Sequence, residues 1–267
     1  LVTHGFGGEI YLYGAKGGAY AGHRIHSSLE HIPDGLELAV FLVPARAVPD
    51  LLEQCGKKGI RRAVIETGGF SELGDAGRAL ENQIIDVARR YEMRFLGPNC
   101  LGFMNVHTGL AVPFMSLPRN FGTGDVALLA QSGGVGIVYL TSFAEANVGL
   151  SAFVSLGNKI DVNETDLLQY FKRDPKTAVA CLYLEDVKRG RDFYQEARDF
   201  DGPVIVQKAN TTTLGSRIAQ THTASIAVDD AVFDGMCRQA NIVRVPDMKN
   251  MLNGAMALSL PLMKGRR

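Results

Sequence analysis

The sequence predicts an α/β protein whose strands pair in parallel, and it predicts two such domains in a row. Two observations carry this. Strand-like and helix-like segments alternate almost from end to end, and helices between successive strands imply parallel pairing. The alternation is interrupted once, by the stretch Gly97 to Gly124, which holds Pro98, Pro113 and Pro118 and several glycines. A boundary near residue 118 divides the 267 residues into 1–118, a Rossmann-like domain whose opening strand is missing, and 119–267, a flavodoxin-like domain.

In the first domain, Glu9–Tyr13 reads as a short strand and Leu36–Val43 as a buried one stopped by Pro44. Ala47–Lys58 carries Val48, Leu51, Leu52 and Cys55 at helical spacing. Arg62–Ile65 reads as a strand running into Gly68-Gly69. Asp75–Glu92 is an amphipathic helix with Leu80, Ile84, Ile85 and Val87 facing inwards, and Arg94–Leu96 is the next strand. The second domain shows strands at Val126–Ala130, Ala152–Ser155, Ala178–Leu184, Pro203–Lys208 and Ile242–Val245. Its helices read as Val135–Ala146, Thr165–Arg173, Arg191–Asp199, Asp229–Ala240 and Met248–Leu258.

Composition excludes several classes. Lys plus Arg and Asp plus Glu both total 28, so no net field draws nucleic acid or an anionic membrane. No apolar run approaches the ~18 residues of a membrane helix, and no signal-peptide pattern opens the chain. Cys55, Cys100, Cys181 and Cys237 are too scattered for a zinc site or a disulfide framework, so no metal is expected and a reducing cytoplasm is. The chain begins at Leu1 and ends at Lys264-Gly265-Arg266-Arg267 directly after an apolar helical stretch, as a piece of a longer protein would.

Ligands of open parallel sheets collect at the carboxyl ends of the strands. The strand Val126–Ala130 leaves through Gln131-Ser132-Gly133-Gly134 into a helix, where free amides and the helix dipole suit an anion; a plain N-cap at Ser132 is the other reading. Ala178–Leu184 leaves through Glu185-Asp186, acids placed either to orient another side chain or simply to be solvated. Gln220-Thr221-His222-Thr223-Ala224-Ser225 sets a histidine in a polar loop between strand and helix. A neutral imidazole is a competent nucleophile near pH 7, and the amides after Ser132 suit the phosphate it would receive. In that arrangement a carboxylate such as Glu185 holds the other ring nitrogen. Cys100, in Gly97-Pro98-Asn99-Cys100, has no indicated partner histidine and reads as a packing or ligand-contact residue.

Seven short motifs stand in one order: Val43-Pro44-Ala45, Gly69-Phe70-Ser71-Glu72, Gly97-Pro98-Asn99-Cys100-Leu101-Gly102, Gln131-Ser132-Gly133-Gly134, Gly157-Asn158-Lys159, Tyr183-Leu184-Glu185 and His222-Thr223-Ala224-Ser225. Over nearly the whole chain this order resembles the alpha-type portion of ADP-forming acyl-CoA synthetases, relatives of succinyl-CoA synthetase. The resemblance implies a CoA-binding first domain and a second domain bearing a phosphorylatable histidine. It implies a reversible reaction of acyl-CoA, phosphate and ADP to acid, CoA and ATP. His222 matches the phosphohistidine, Glu185 the carboxylate that orients it, and Ser132, Gly133 and Gly134 the phosphate-cradling helix start. Cys100 matches a cysteine near the CoA thiol, and Lys16, Pro44 and Asn99 fall where CoA contacts are expected. ADP or ATP, with magnesium, would sit on ATP-grasp domains supplied by a partner subunit or a fused segment, and an oligomer is expected.

The chain departs from the family in four places. The opening strand and its glycine-rich turn are absent, Gly14-Ala15-Lys16 replaces the usual Asn-Pro-Lys, two habitual glycines are Ala224 and Val228, and no ATP-grasp segment is present. The rival reading is a CoA-sensing regulatory region of a protein acetyltransferase built on a degenerate synthetase, where the histidine is typically lost. A plain NAD-binding Rossmann protein is disfavoured by the lack of Gly-x-Gly-x-x-Gly.

Overall fold

The computed structural model describes residues 1, 4–115, 122–211 and 229–259. The first half forms two small sheets. One holds β1 (Leu12–Tyr13), β2 (Gly18–Tyr20) and β3 (His23–His26) in the order β1-β3-β2, with β1 parallel and β2 antiparallel to β3. The other holds β4 (Leu38–Phe41), β5 (Arg62–Ile65) and β6 (Arg94–Leu96) side by side and parallel. The helix α1 (Val48–Lys57) connects β4 to β5, and α2 (Asp75–Arg90) connects β5 to β6. The expected strand at Glu9–Tyr13 is thus only two residues long. Ile84, Val87 and Ala88 of α2 and Val48, Leu52 and Cys55 of α1 close over Ala63, Ile65 and Phe95 to make the core of this domain.

The six-stranded sheet of the second domain has the strand order β12-β11-β10-β8-β9-β7. Its parallel strands are β8 (Thr123–Ala130), β9 (Leu150–Ser155), β10 (Val179–Leu184), β11 (Val204–Lys208) and β12 (Val243–Arg244). Numbered one to five along the chain, they lie 2-1-3-4-5, the flavodoxin order, whose switch point falls between β8 and β10. The edge strand β7 (Phe103–Asn105) pairs antiparallel with β9. It lies within the stretch read as irregular, so residues before 118 already contribute to the six-stranded sheet.

Alternation along β8 explains the layers. Val126, Leu128 and Ala130 face a core shared with Tyr139, Leu140 and Phe143 of α3 (Gly133–Glu145) and with Met251 and Ala255. Ala127 and Leu129 face the opposite core, with Leu168 and Phe171 of α4 (Glu164–Phe171), Phe193 and Ala197 of α5 (Gly190–Arg198), and Phe233 and Cys237 of α6 (Asp230–Gln239). Met251 and Ala255 belong to α7 (Met248–Leu258).

Val64 and Leu96 of the first domain enter this latter core, so the two domains share apolar surface. A polar clamp fixes them beside it. Asp161 accepts hydrogen bonds from Phe95 N at 2.7 Å and Arg94 Nε at 2.8 Å, and Val162 N donates to Phe95 O at 3.2 Å. No helix among the described residues is long and apolar enough to cross a membrane.

Candidate active site

The strand exits of both domains converge. Pro44 is exposed after β4, and its neighbour Ala45 lies 3.1 Å from where a Cβ on Gly69 would stand, which joins the exits of β4 and β5. Glu72, from the β5 exit, accepts from Gly69 N at 2.6 Å and Phe70 N at 3.1 Å, and from Asn158 Nδ2 at 2.7 Å. Asn99 is exposed at the β6 exit with φ of 59°, its own N–H donates to Thr67 O, and its Nδ2 donates to Asn158 Oδ1 at 3.3 Å. Burial alone would push the Glu72 carboxyl up, but these amides outweigh it and hold it below its ordinary value. Asn158 of the second domain therefore ties two exits of the first.

Cys100 is buried, with Sγ 3.5 Å from Ile65 O. Burial pushes its thiol up to about 12, so it is not a thiolate near neutral pH and fits a contact role rather than a nucleophilic one. Gly102 has φ of 79°, and a Cβ there would strike Val112 O and Glu66 Oε1, so the loop can follow this path only with glycine. Lys16 is exposed in the turn between β1 and β2, on the other small sheet.

The switch point is built on Gln131, Lys159 and Asp186. Gln131 Oε1 accepts from the backbone N–H groups of Glu185 at 2.9 Å and Asp186 at 3.2 Å, while its Nε2 donates to Asp186 Oδ1 at 2.9 Å. Lys159 follows β9 with its side chain fully buried and φ of 54°. Its ammonium contacts Asp186 Oδ1 at 2.7 Å, Asp186 O at 2.8 Å and Glu164 Oε2 at 2.9 Å. The ammonium thus donates to one backbone carbonyl and is paired with two carboxylates, as a buried charge requires. Burial pushes the Asp186 carboxyl up, but the charges of Lys159 and Lys188 and the bonds from Lys159 and Gln131 overcome this and hold it low. Glu185 is half-buried beside it on the same backbone turn.

Ser132 caps α3 weakly, its Oγ accepting from Val135 N at 3.5 Å. The N–H groups of Gly133 and Gly134 are the first two of the helix and have no intrahelical acceptor. Gly134 is exposed with open space beside it, so an anion can approach its backbone. Gly133 faces Leu101: a Cβ on Gly133 would lie 2.7 Å from Leu101 Cγ. Leu101 N in turn donates to Ser155 Oγ at 3.0 Å. The loop bearing Asn99 and Cys100 thus abuts the helix start bearing Ser132 to Gly134. Residues 123–258 match the family described as the succinyl-CoA ligase like flavodoxin domain, and residues 2–106 match the CoA binding domain.

The chain belongs to the succinyl-CoA ligase-like family.

Among relatives of this succinyl-CoA ligase-like chain, the alpha subunit of Acetate–CoA ligase [ADP-forming] I of Pyrococcus furiosus is 38% identical over 97% of the chain and 57% of that protein. Acetate–CoA ligase [ADP-forming] II of Archaeoglobus fulgidus is 37% identical over 100% of the chain and 40% of its own length. A solved structure, the Ca. Korarchaeum cryptofilum dinucleotide forming acetyl-coenzyme A synthetase 1 in complex with phosphate and ADP, superposes with a TM-score of 0.93 at 34% identity. That superposition covers 99% of this chain and 57% of the other. The chain therefore spans roughly two fifths to three fifths of the length of these relatives.

The structure brings together Pro44, Asn99, Cys100, Ser132, Gly133, Gly134 and Glu185 on one rim. His222 lies outside the described residues. Sequence reasoning assigned no role to Lys159 or Glu66, and it left Asp186 as an ordinary loop acid. A signal was available for Glu66, a charged residue set directly after the buried strand β5.

Proposed function

We propose that the chain is the CoA- and phosphate-handling part of an ADP-forming acyl-CoA synthetase. In this reading CoA lies along the exits of β4 and β6, contacted by Pro44, Asn99 and Cys100, with Lys16 reaching it from the β1–β2 turn. Phosphate sits on the amides of Gly133 and Gly134 beside Ser132 and attacks the thioester carbonyl, giving an acyl phosphate and CoA. His222 then takes the phosphoryl group while Glu185 holds its imidazole in the reactive tautomer. ADP with magnesium, on an ATP-grasp partner, receives the phosphoryl group. The assembly is an oligomer working in the cytoplasm, without nucleic acid or membrane.

The observation that supports this most is the contact of Leu101 with Gly133, which sets the loop of Asn99 and Cys100 against the helix start. A thioester and its attacking phosphate must meet within a few ångströms. The names of the relatives make acetyl-CoA the acyl donor to test first. Together with an ATP-grasp subunit, the chain is expected to form ATP from acetyl-CoA, phosphate and Mg-ADP; alone, it is expected to form none. Equal ATP formation by the chain alone would contradict this division of labour.

A further inference from the structure

Glu66 follows β5 directly, on the rim where the exits gather. Its Oε1 lies 2.4 Å from where a Cβ on Gly102 would stand, and Gly102 O accepts from Ser155 N at the end of β9. Only 7% of its surface is exposed, and both carboxyl oxygens are buried without a hydrogen-bond partner. Its neighbours are Gly102, whose missing Cβ would strike Oε1, and Cys100, the residue proposed to lie by the CoA sulfur. A carboxyl without a partner in such a place is either a neutral acid or awaits a ligand.

The chemistry proposed above needs a proton at sulfur, and none of the assigned residues supplies it. His222 and Glu185 are committed to the phosphoryl group, and the Cys100 thiol, raised by its burial, gives up its proton only near pH 12.

We propose that Glu66 is the acid–base group for the CoA sulfur. This rests on the reading of the site as a CoA and phosphate site. When phosphate bonds to the thioester carbon, the carbon–sulfur bond breaks with its electron pair on sulfur. Glu66 delivers its proton to that sulfur and is reprotonated by the proton the phosphate loses on becoming an acyl phosphate. In reverse, the Glu66 carboxylate takes the thiol proton as sulfur attacks the acyl phosphate, and the departing phosphate recovers a proton. Burial pushes the Glu66 carboxyl up to about 8, close to an ordinary thiol, so the transfer is nearly balanced in both directions. Among the described residues, the titratable group facing Glu66 is the neutral Cys100 thiol; Gly102 and Val112 add only backbone. Shielding from water keeps the proton from exchanging with solvent during the transfer.

The test uses the chain with its ATP-grasp partner and no nucleotide, so that only the exchange of acetyl-CoA plus phosphate with acetyl phosphate plus CoA is followed. Glu66→Gln copies the size and neutrality of the protonated acid but cannot transfer a proton. It is expected to slow exchange by about 100-fold or more, with CoA affinity by calorimetry and thermal midpoint close to those of the parent. Thioester cleavage by the parent should also fall as pH rises through about 8, and the variant should lack that limb. Parent-like exchange by Glu66→Gln would overturn the proposal, as would a loss of CoA affinity that matches the loss of rate. Failure of the unsubstituted protein to bind CoA at all would instead overturn the reading of the site.

Discussion

Lys159 shows what a single buried charge organises in this molecule. Its ammonium faces two carboxylates, Glu164 and Asp186, with side-chain exposures of 0% and 7%. Lys188 is a more distant partner of Asp186 at 3.4 Å. Removing the central cation leaves two buried anions facing each other, so Lys159→Met is expected to cost about 3–5 kcal/mol. Urea denaturation at neutral pH measures this, and adding Glu164→Gln and Asp186→Asn should recover a large part of the loss. A loss under about 1 kcal/mol would mean that water reaches the cluster. The Asp186 carboxyl is held low, so its contribution is present above the ordinary carboxylate range near 4 and is lost as pH falls through the lower folded value. Lys159 was visible in the sequence only as the end of Gly157-Asn158-Lys159. Nothing local said that it turns inwards, because its partners lie 5 and 27 residues further along.

At the scale of elements, the helix α3 and the loop before it carry the most specific expectation. Gly133 and Gly134 differ in what surrounds them: the first is packed against Leu101 and the second faces open space. Gly133→Asp would therefore combine a steric clash with a misplaced charge, whereas Gly134→Asp adds the charge alone. The helix dipole and free amides offer an anion about 1–2 kcal/mol here, and a fixed carboxylate competes for the same site. Gly134→Asp is expected to raise the phosphate KM at least tenfold with the thermal midpoint nearly unchanged; an unaltered KM would remove phosphate from this helix start. Strands that lie in the middle of a sheet were legible, since burial on both faces writes apolar runs. Arg62–Ile65 was read to the residue and β8 to β11 nearly so; the edge strand Arg94–Leu96 was also read to the residue, through its buried Phe95 and Leu96. Gly18–Tyr20, His23–His26 and Phe103–Asn105 were missed. Each is a short, partly exposed strand among glycines, and β7 exists through its pairing with β9, some fifty residues away.

At the scale of the molecule, two domains with different sheets act as one because their strand exits are locked together. Asp161 holds the backbone of Phe95, Asn158 bridges Glu72 and Asn99, and Leu101 fills the space that a side chain at Gly133 would need. The motif order along the chain was readable, and so was the family; their meeting on one rim was not, because it depends on how the two sheets face each other. The proposed phosphoryl transfer through His222 would join chemistry at this rim to a nucleotide held elsewhere. The direct measurement incubates the chain and its ATP-grasp partner with labelled Mg-ATP and follows protein-bound phosphate. The expected label is stable in base and lost in acid, present in the parent and absent from His222→Ala, with synthesis of acetyl-CoA lost in parallel. Label or turnover that persists in His222→Ala would contradict the proposed relay.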